Sequence, residues 1–307
     1  MLGKRVFAAT CMISLLALAM WLDLYVFKDS VMLHAAFLLV AFLSFREFWL
    51  LCRATGHQTF SIWGTLSGCA LIVVHYCCMH LVSFSAPGAT EILALKEASN
   101  LSMGALAIAV LGTFLLTAKR HQFEASLGGV AVTCLGLLYI FFLPSFVLKL
   151  RHLNGNTGLI GGPLTDWNLF GHHMVVATIV LAKGCDMWAY LIGRLLGRHK
   201  AFPLLSPGKT IEGVAAGLVG SMLTALFLRW DAIGVLSSFT VINACALGLC
   251  IGLAAIMGDL AESLLKRSAG AKDAGHVIPG YGGAMDVIDS LMVAGPVAYF
   301  LIPVMIK

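Results

Sequence analysis

Nine apolar runs, each long enough to cross a hydrocarbon layer, decide what this chain can fold into. They fall near residues 6–27, 31–52, 61–84, 99–118, 127–148, 171–193, 213–229, 238–258 and 286–306. A helix needs about 20 consecutive apolar residues to span a bilayer, and a backbone inside lipid must satisfy its own hydrogen bonds. The runs therefore predict an all-α, polytopic integral membrane protein with about nine transmembrane helices. A hydrophobic content of 60% and a mean hydropathy of +0.93 agree with that class. The second run is the least clean, because Arg46 and Glu47 interrupt it. Links between runs are short and leave no room for a separate soluble domain. Lys4 and Arg5 precede the first run as in a signal peptide, but the apolar part is long and no small-x-small cleavage site follows, so the run is expected to stay as a span.

Basic residues give the orientation. With a cytoplasmic N-terminus, twelve of the 20 lysines and arginines fall in cytoplasmic loops and six on the opposite side, while Arg46 and Lys183 lie within spans. That bias follows the positive-inside rule. The net charge of +5 is thus an orientation signal and not a sign of nucleic-acid binding. The nine cysteines form no CxxC and read as small apolar fillers, while the HYCCMH run at 75–80, the one metal-like cluster with His75/Cys78 and Cys77/His80 at i,i+3, reads as packed helix residues ahead of a metal site.

Charge divides the chain into two regions of one integrated membrane domain. Residues 1–165 read as scaffold helices with few internal charges, and residues 166–307 carry the chemistry-bearing residues. Lys183 and Asp186 lie i,i+3 inside the sixth run, on one helix face. Charges at that depth cost about 2.5–3.5 kcal/mol each on insertion scales, so they signal function. The SPGKTIEG stretch at 206–213 resembles the end of a Walker A loop, but Pro203 stands where the first glycine is required. Its Ser206, Lys209 and Thr210 remain as anion-binding groups beside a helix N-terminus.

The densest charge lies in DLAESLLKRSAGAKDAGHVIPGYGGAMDVIDS at 259–290, on the predicted cytoplasmic side. Asp286 and Asp289, i,i+3 at the lip of the last run, aim two carboxylates at one spot, and Asp259 is placed to join them. Hard cations such as Mg2+ take oxygen ligands of this kind. Lys266, Arg267 and Lys272 add positive charge, and the PGYGG turn at 279–283 lets backbone approach a phosphate closely. Carboxylates, cations and glycines together describe a phosphoryl- or nucleotidyl-transfer site.

These residues resemble the signature of the phosphatidate cytidylyltransferases. That pattern, S-x-x-K-R, K-D, a Pro/Gly turn ending H-G-G, and D-R-x-D, is met here by Ser263, Lys266, Arg267, Lys272, Asp273, Pro279, Gly282, Gly283, Asp286 and Asp289. The D-x-x-A-Y at Asp186–Tyr190 and the S-P-x-K-T at Ser206–Thr210 are similar to two further family motifs, in the same order. Tyr281 replaces the usual histidine, and Val287 the usual arginine between the last two aspartates. The resemblance implies transfer of CMP from CTP to phosphatidate, giving CDP-diacylglycerol and pyrophosphate in phospholipid biosynthesis. It further implies Mg2+ with room for a second cation, and a homodimer; the basic-residue bias puts the site on the cytoplasmic face, and the compact nine-span chain points to a bacterial inner membrane. Asp259, Lys266, Asp286 and Asp289 are then the catalytic candidates, with Asp259, Asp286 and Asp289 holding metal. Asp186, Ser206, Lys209, Thr210, Ser263, Arg267, Lys272, Asp273, Gly282 and Gly283 are the substrate-binding candidates. A CTP-dependent transferase for another lipid phosphate and a polytopic transporter are the competing readings. The transporter reading is weakened by charge gathered at one face rather than at the midplane.

Overall fold

Apolar runs become helices because a lipid-embedded backbone has no other partner for its N–H and C=O groups. The computed structural model describes residues 2–27, 30–56, 60–85, 91–120, 126–153, 167–271, 274–275, 277 and 282–306. In chain order these form α1 (Leu2–Leu22), a π-helical segment (Asp23–Phe27), α2 (Val31–Ala54), α3 (Ser61–Ser85), α4 (Glu91–Arg120), α5 (Ser126–Gly136), a second π-helical segment (Leu137–Phe142), α6 (Leu143–Leu150) and α7 (Trp167–Leu196). Strands β1 (Lys200–Phe202) and β2 (Ser206–Thr210), then α8 (Ile211–Arg229), α9 (Val241–Ser268) and α10 (Met285–Met305) complete the order. Nine helical stretches among the described residues are long and apolar enough to cross a membrane, as the sequence predicts. This is an integral membrane protein, and its described residues are all-α apart from one short hairpin.

Two compact units make up the chain. One comprises Met1–Ser145 with Ser268–Met285, and the other Phe146–Arg267 with Asp286–Lys307. In the first, Phe45, Phe48 and Phe141 are buried together, and the Trp63 indole N–H donates to the Ala109 carbonyl at 3.0 Å, tying α3 to α4. The buried Asp23 carboxylate accepts the N–H groups of Met32 and Leu33 at 2.8 and 2.7 Å, satisfying donors in the first turn of α2 that have no intrahelical partner.

In the second unit, α7, α8 and α9 pack backbone to backbone through small residues, as helices in lipid do when shape fit replaces the hydrophobic effect. A Cβ on Gly217 would lie 2.9 Å from the Cys185 carbonyl oxygen, and one on Gly220 would overlap the Trp188 side chain. Ser221 donates to the Gly248 carbonyl at 2.8 Å and lies 3.3 Å from that of Leu181, so one hydroxyl on α8 meets both neighbours. At Gly258 on α9 a Cβ would overlap the backbone carbonyl of Asp289 on α10. That approach brings the two motif-bearing helices together where their aspartates lie.

Two elements differ from expectation. The eighth apolar run ends near 258, yet α9 continues to Ser268. Polar residues sustain it, because Glu262 and Lys266 pair at i,i+4 with 3.1 Å between Oε2 and Nζ. The 200–210 segment, where the sequence offers only anion-binding groups beside a helix start, is an antiparallel hairpin that pairs Lys200 with Thr210 and Phe202 with Ser206.

Gly217→Val should drive the α7 and α8 backbones apart, costing about 1–3 kcal/mol of stability. A lower thermal midpoint in detergent would show it, with no change for Ala215→Val on the exposed face of α8.

Candidate active site

Four elements of the second unit bring the charged residues together. α7 supplies Lys183 and Asp186, the hairpin Lys209, α9 Asp259, Glu262, Ser263 and Lys266, and α10 Asp286 and Asp289. The α9 residues share one face through spacings of three and four.

Three lysines each meet one of three aspartates. Lys183 Nζ lies 3.0 Å from Asp289 Oδ1, Lys209 Nζ 2.7 Å from Asp259 Oδ2, and Lys266 Nζ 2.7 Å from Asp286 Oδ1. Lys266 also contacts Glu262, whose side chain is only 1% exposed. Lys183 lies 4.0 Å from its sequence neighbour Asp186 and closer to Asp289, 106 residues away. Ser263 donates to Asp259 Oδ1 at 3.4 Å. Positive and negative groups therefore alternate through a half-buried site, where Coulomb attraction is stronger than in water.

The hairpin is what delivers Lys209. Glu212, in the first turn of α8, accepts the N–H groups of Arg198 and His199 at 3.1 and 3.2 Å and sits 2.6 Å from His199 Nδ1. The Thr210 hydroxyl accepts the Gly213 N–H at 3.1 Å and caps α8. In this arrangement Thr210 holds the helix start and Lys209 pairs with an aspartate. Ser206 begins β2, and Arg267 Nε donates to the Leu205 carbonyl on the hairpin turn at 3.4 Å.

The carboxylates fit a divalent cation. One oxygen from each of Asp259, Glu262 and Asp289 lies within 4.8 Å of the others. Glu262 Oε1 is buried without a hydrogen-bond partner, an orphaned acceptor at a place where an oxygen-seeking cation would satisfy it. The expected metal set was Asp259, Asp286 and Asp289. The geometry adds Glu262, to which the sequence assigned no role, and turns Asp286 toward Lys266. Where the resemblance would place an arginine, Val287 stands, and Lys183 from α7 supplies a cation to Asp289 instead. Gly282 has a φ of +132°, which favours glycine, and it belongs with Gly283 to the first unit. Lys272, Asp273, Pro279 and Tyr281 lie outside the described residues.

The chain is similar to known proteins over much of its length. A model of the cytidylyltransferase family matches residues 3–305. A phosphatidate cytidylyltransferase of Synechocystis is 34% identical over 194 residues, covering 58% of this chain and 64% of that protein. The uncharacterized protein YnbB of Escherichia coli is 36% identical over 132 residues, 43% of each chain. The chloroplastic phosphatidate cytidylyltransferase 4 of Arabidopsis thaliana is 36% identical over 195 residues, 57% of this chain and 46% of that protein. The matches span between about two fifths and two thirds of these relatives' lengths.

Lys266→Met should strand two carboxylates, Glu262 and Asp286, and cost up to about 3 kcal/mol, read as a lower thermal midpoint. Adding Glu262→Gln should recover part of that loss, because the neutral amide needs no counter-charge. A double variant no more stable than Lys266→Met would show that the pair does not carry the stability.

Proposed function

Since the chain belongs to the cytidylyltransferase family, we propose that it transfers the CMP moiety of CTP to phosphatidate, yielding CDP-diacylglycerol and pyrophosphate. The observation that carries this reading is the alternation of three lysines with carboxylates from α7, α9 and α10. Carboxylates suit a cation and lysines suit phosphates, and nucleotidyl transfer needs both side by side.

In the reaction a phosphate oxygen of the lipid attacks the α-phosphorus of CTP. A new P–O bond forms, the bond from that phosphorus to the α–β bridging oxygen breaks, and pyrophosphate departs with the electron pair. The lipid phosphate is already anionic near neutral pH, so no strong general base is required. Asp259, Glu262 and Asp289 would hold the divalent cation, with Asp286 beside them on α10. A bound Mg2+ would offset charge on the triphosphate oxygens and on the leaving pyrophosphate. Lys183, Lys209 and Lys266, each paired with an aspartate, would receive phosphate oxygens. Arg267, Lys272 and Ser206 would add contacts to the triphosphate, and Asp186, 4.0 Å from Lys183, orients that lysine.

The lysine and arginine bias supports a cytoplasmic site, where CTP is found, and a bacterial inner membrane suits the short loops. The resemblance supports a homodimer. A second reading, a CTP-dependent transferase for another lipid phosphate, is favoured by Val287, since loss of the arginine alters charge beside the acceptor. CTP dependence is common to both, and the lipid acceptor separates them.

The purified protein in detergent should release pyrophosphate only when CTP, phosphatidate and Mg2+ are all present. Release with a different lipid phosphate and none with phosphatidate would favour the second reading. Asp289→Asn and Asp286→Asn should each lower turnover at least about a hundredfold while the protein stays folded in the membrane. Wild-type rates from both would sink the assignment.

A further inference from the structure

Glu47 is one of the two charges that interrupt the second apolar run, and the proposed chemistry gives it no part. It sits on α2, only 2% exposed, where an ionisable group is costly unless it is used. Its two carboxylate oxygens reach different donors. Oε1 accepts the Ala284 N–H at 3.0 Å, and Oε2 accepts the Met285 N–H at 2.9 Å. Met285 opens α10, so these are N–H groups that a helix start leaves without intrahelical partners. A negative charge there also suits the helix dipole.

The backbone around the carboxylate is shaped to admit it. A Cβ on Gly275 would overlap Oε1, and a Cβ on Gly283 would overlap Oε2. The segment Ser268–Met285 belongs to the same compact unit as Glu47, and two of its glycines give the carboxylate room. One side chain, 237 residues from Ala284 in sequence, thus holds the turn that leads into α10. Asp286 follows Met285 directly, and Asp289 lies one turn further on.

We propose that Glu47 is a positioning residue: by clasping the N–H groups of Ala284 and Met285 it sets the start of α10 and so the direction of the Asp286 and Asp289 carboxylates. This rests on the cation-binding role proposed for that site. Glutamine at 47 would place an NH2 donor against one of the two N–H groups and release one end of the clasp. Aspartate keeps both acceptor oxygens on a shorter stem. Alanine at Gly275 leaves Glu47 in the chain but pushes its carboxylate out of place.

The test compares the full chain in detergent as wild type, Glu47→Gln, Glu47→Asp and Gly275→Ala. Mn2+ binding is read by electron paramagnetic resonance, thermal midpoints are recorded, and pyrophosphate release is followed against Mg2+ concentration. Glu47→Gln and Gly275→Ala should each weaken Mn2+ binding about tenfold, the size of effect seen when a supporting partner behind a metal ligand is lost. Glu47→Asp should lie nearer wild type, and half-maximal pyrophosphate release should need correspondingly more Mg2+. A folded Glu47→Gln protein with wild-type Mn2+ affinity, or one that only loses thermal stability, overturns the proposal. Wild-type protein that binds no Mn2+ overturns it too. Mn2+ binding weakened as expected, with no pyrophosphate from CTP and phosphatidate, would leave Glu47's role standing and refute the assigned reaction.

Discussion

Charge placed among apolar helices must be matched by charge, and the second unit is organised around that demand. A lone carboxylate in a low-dielectric surrounding is costly, and so is a lone ammonium. Here Asp289, Asp259 and Asp286 each face a lysine at 3.0 Å or less. The pairs draw on α7, the hairpin, α9 and α10, so each pair also fixes one element against another. The same arrangement gathers acceptors for a cation beside donors for phosphate, the requirement of nucleotidyl transfer.

Steric features allow these pairs to form. At Gly258 the α9 backbone comes so close to α10 that a side chain would strike the Asp289 carbonyl. Glu212 ties the hairpin to α8 through Arg198 and His199, and Lys209 is carried on the second strand. In the other unit Glu47 holds the turn before α10 at two amides. The approach at Gly258 and the Glu212 contacts are short-range arrangements with one specific result, the placement of a charged side chain.

The sequence exposed what local pattern controls. Nine apolar runs predicted nine spans because length and hydropathy are properties of a continuous stretch. The i,i+3 spacings of Lys183 with Asp186 and of Asp286 with Asp289 follow from helix geometry alone. Partnerships across the fold were hidden. Nothing near Lys183 in the chain points to Asp289, and Asp186 draws attention instead. Glu262 carries no signal in the sequence because the apolar run stops at 258, whereas α9 carries it on a buried face. The hairpin was missed because SPGKT has the composition of a turn and its pairing with Lys200–Phe202 is tertiary. Glu47 registered only as a blemish in a span, since its partners lie more than 230 residues away.

The central claim is that this site moves the α-phosphorus of CTP onto a lipid phosphate. The most direct measurement uses CTP labelled at the α- or the γ-phosphorus, incubated with the purified protein, phosphatidate and Mg2+, and then extracted into organic solvent. The account predicts that α-label enters the lipid phase while γ-label stays in water as pyrophosphate. Label in the lipid from the γ-position, or in neither case, would contradict it.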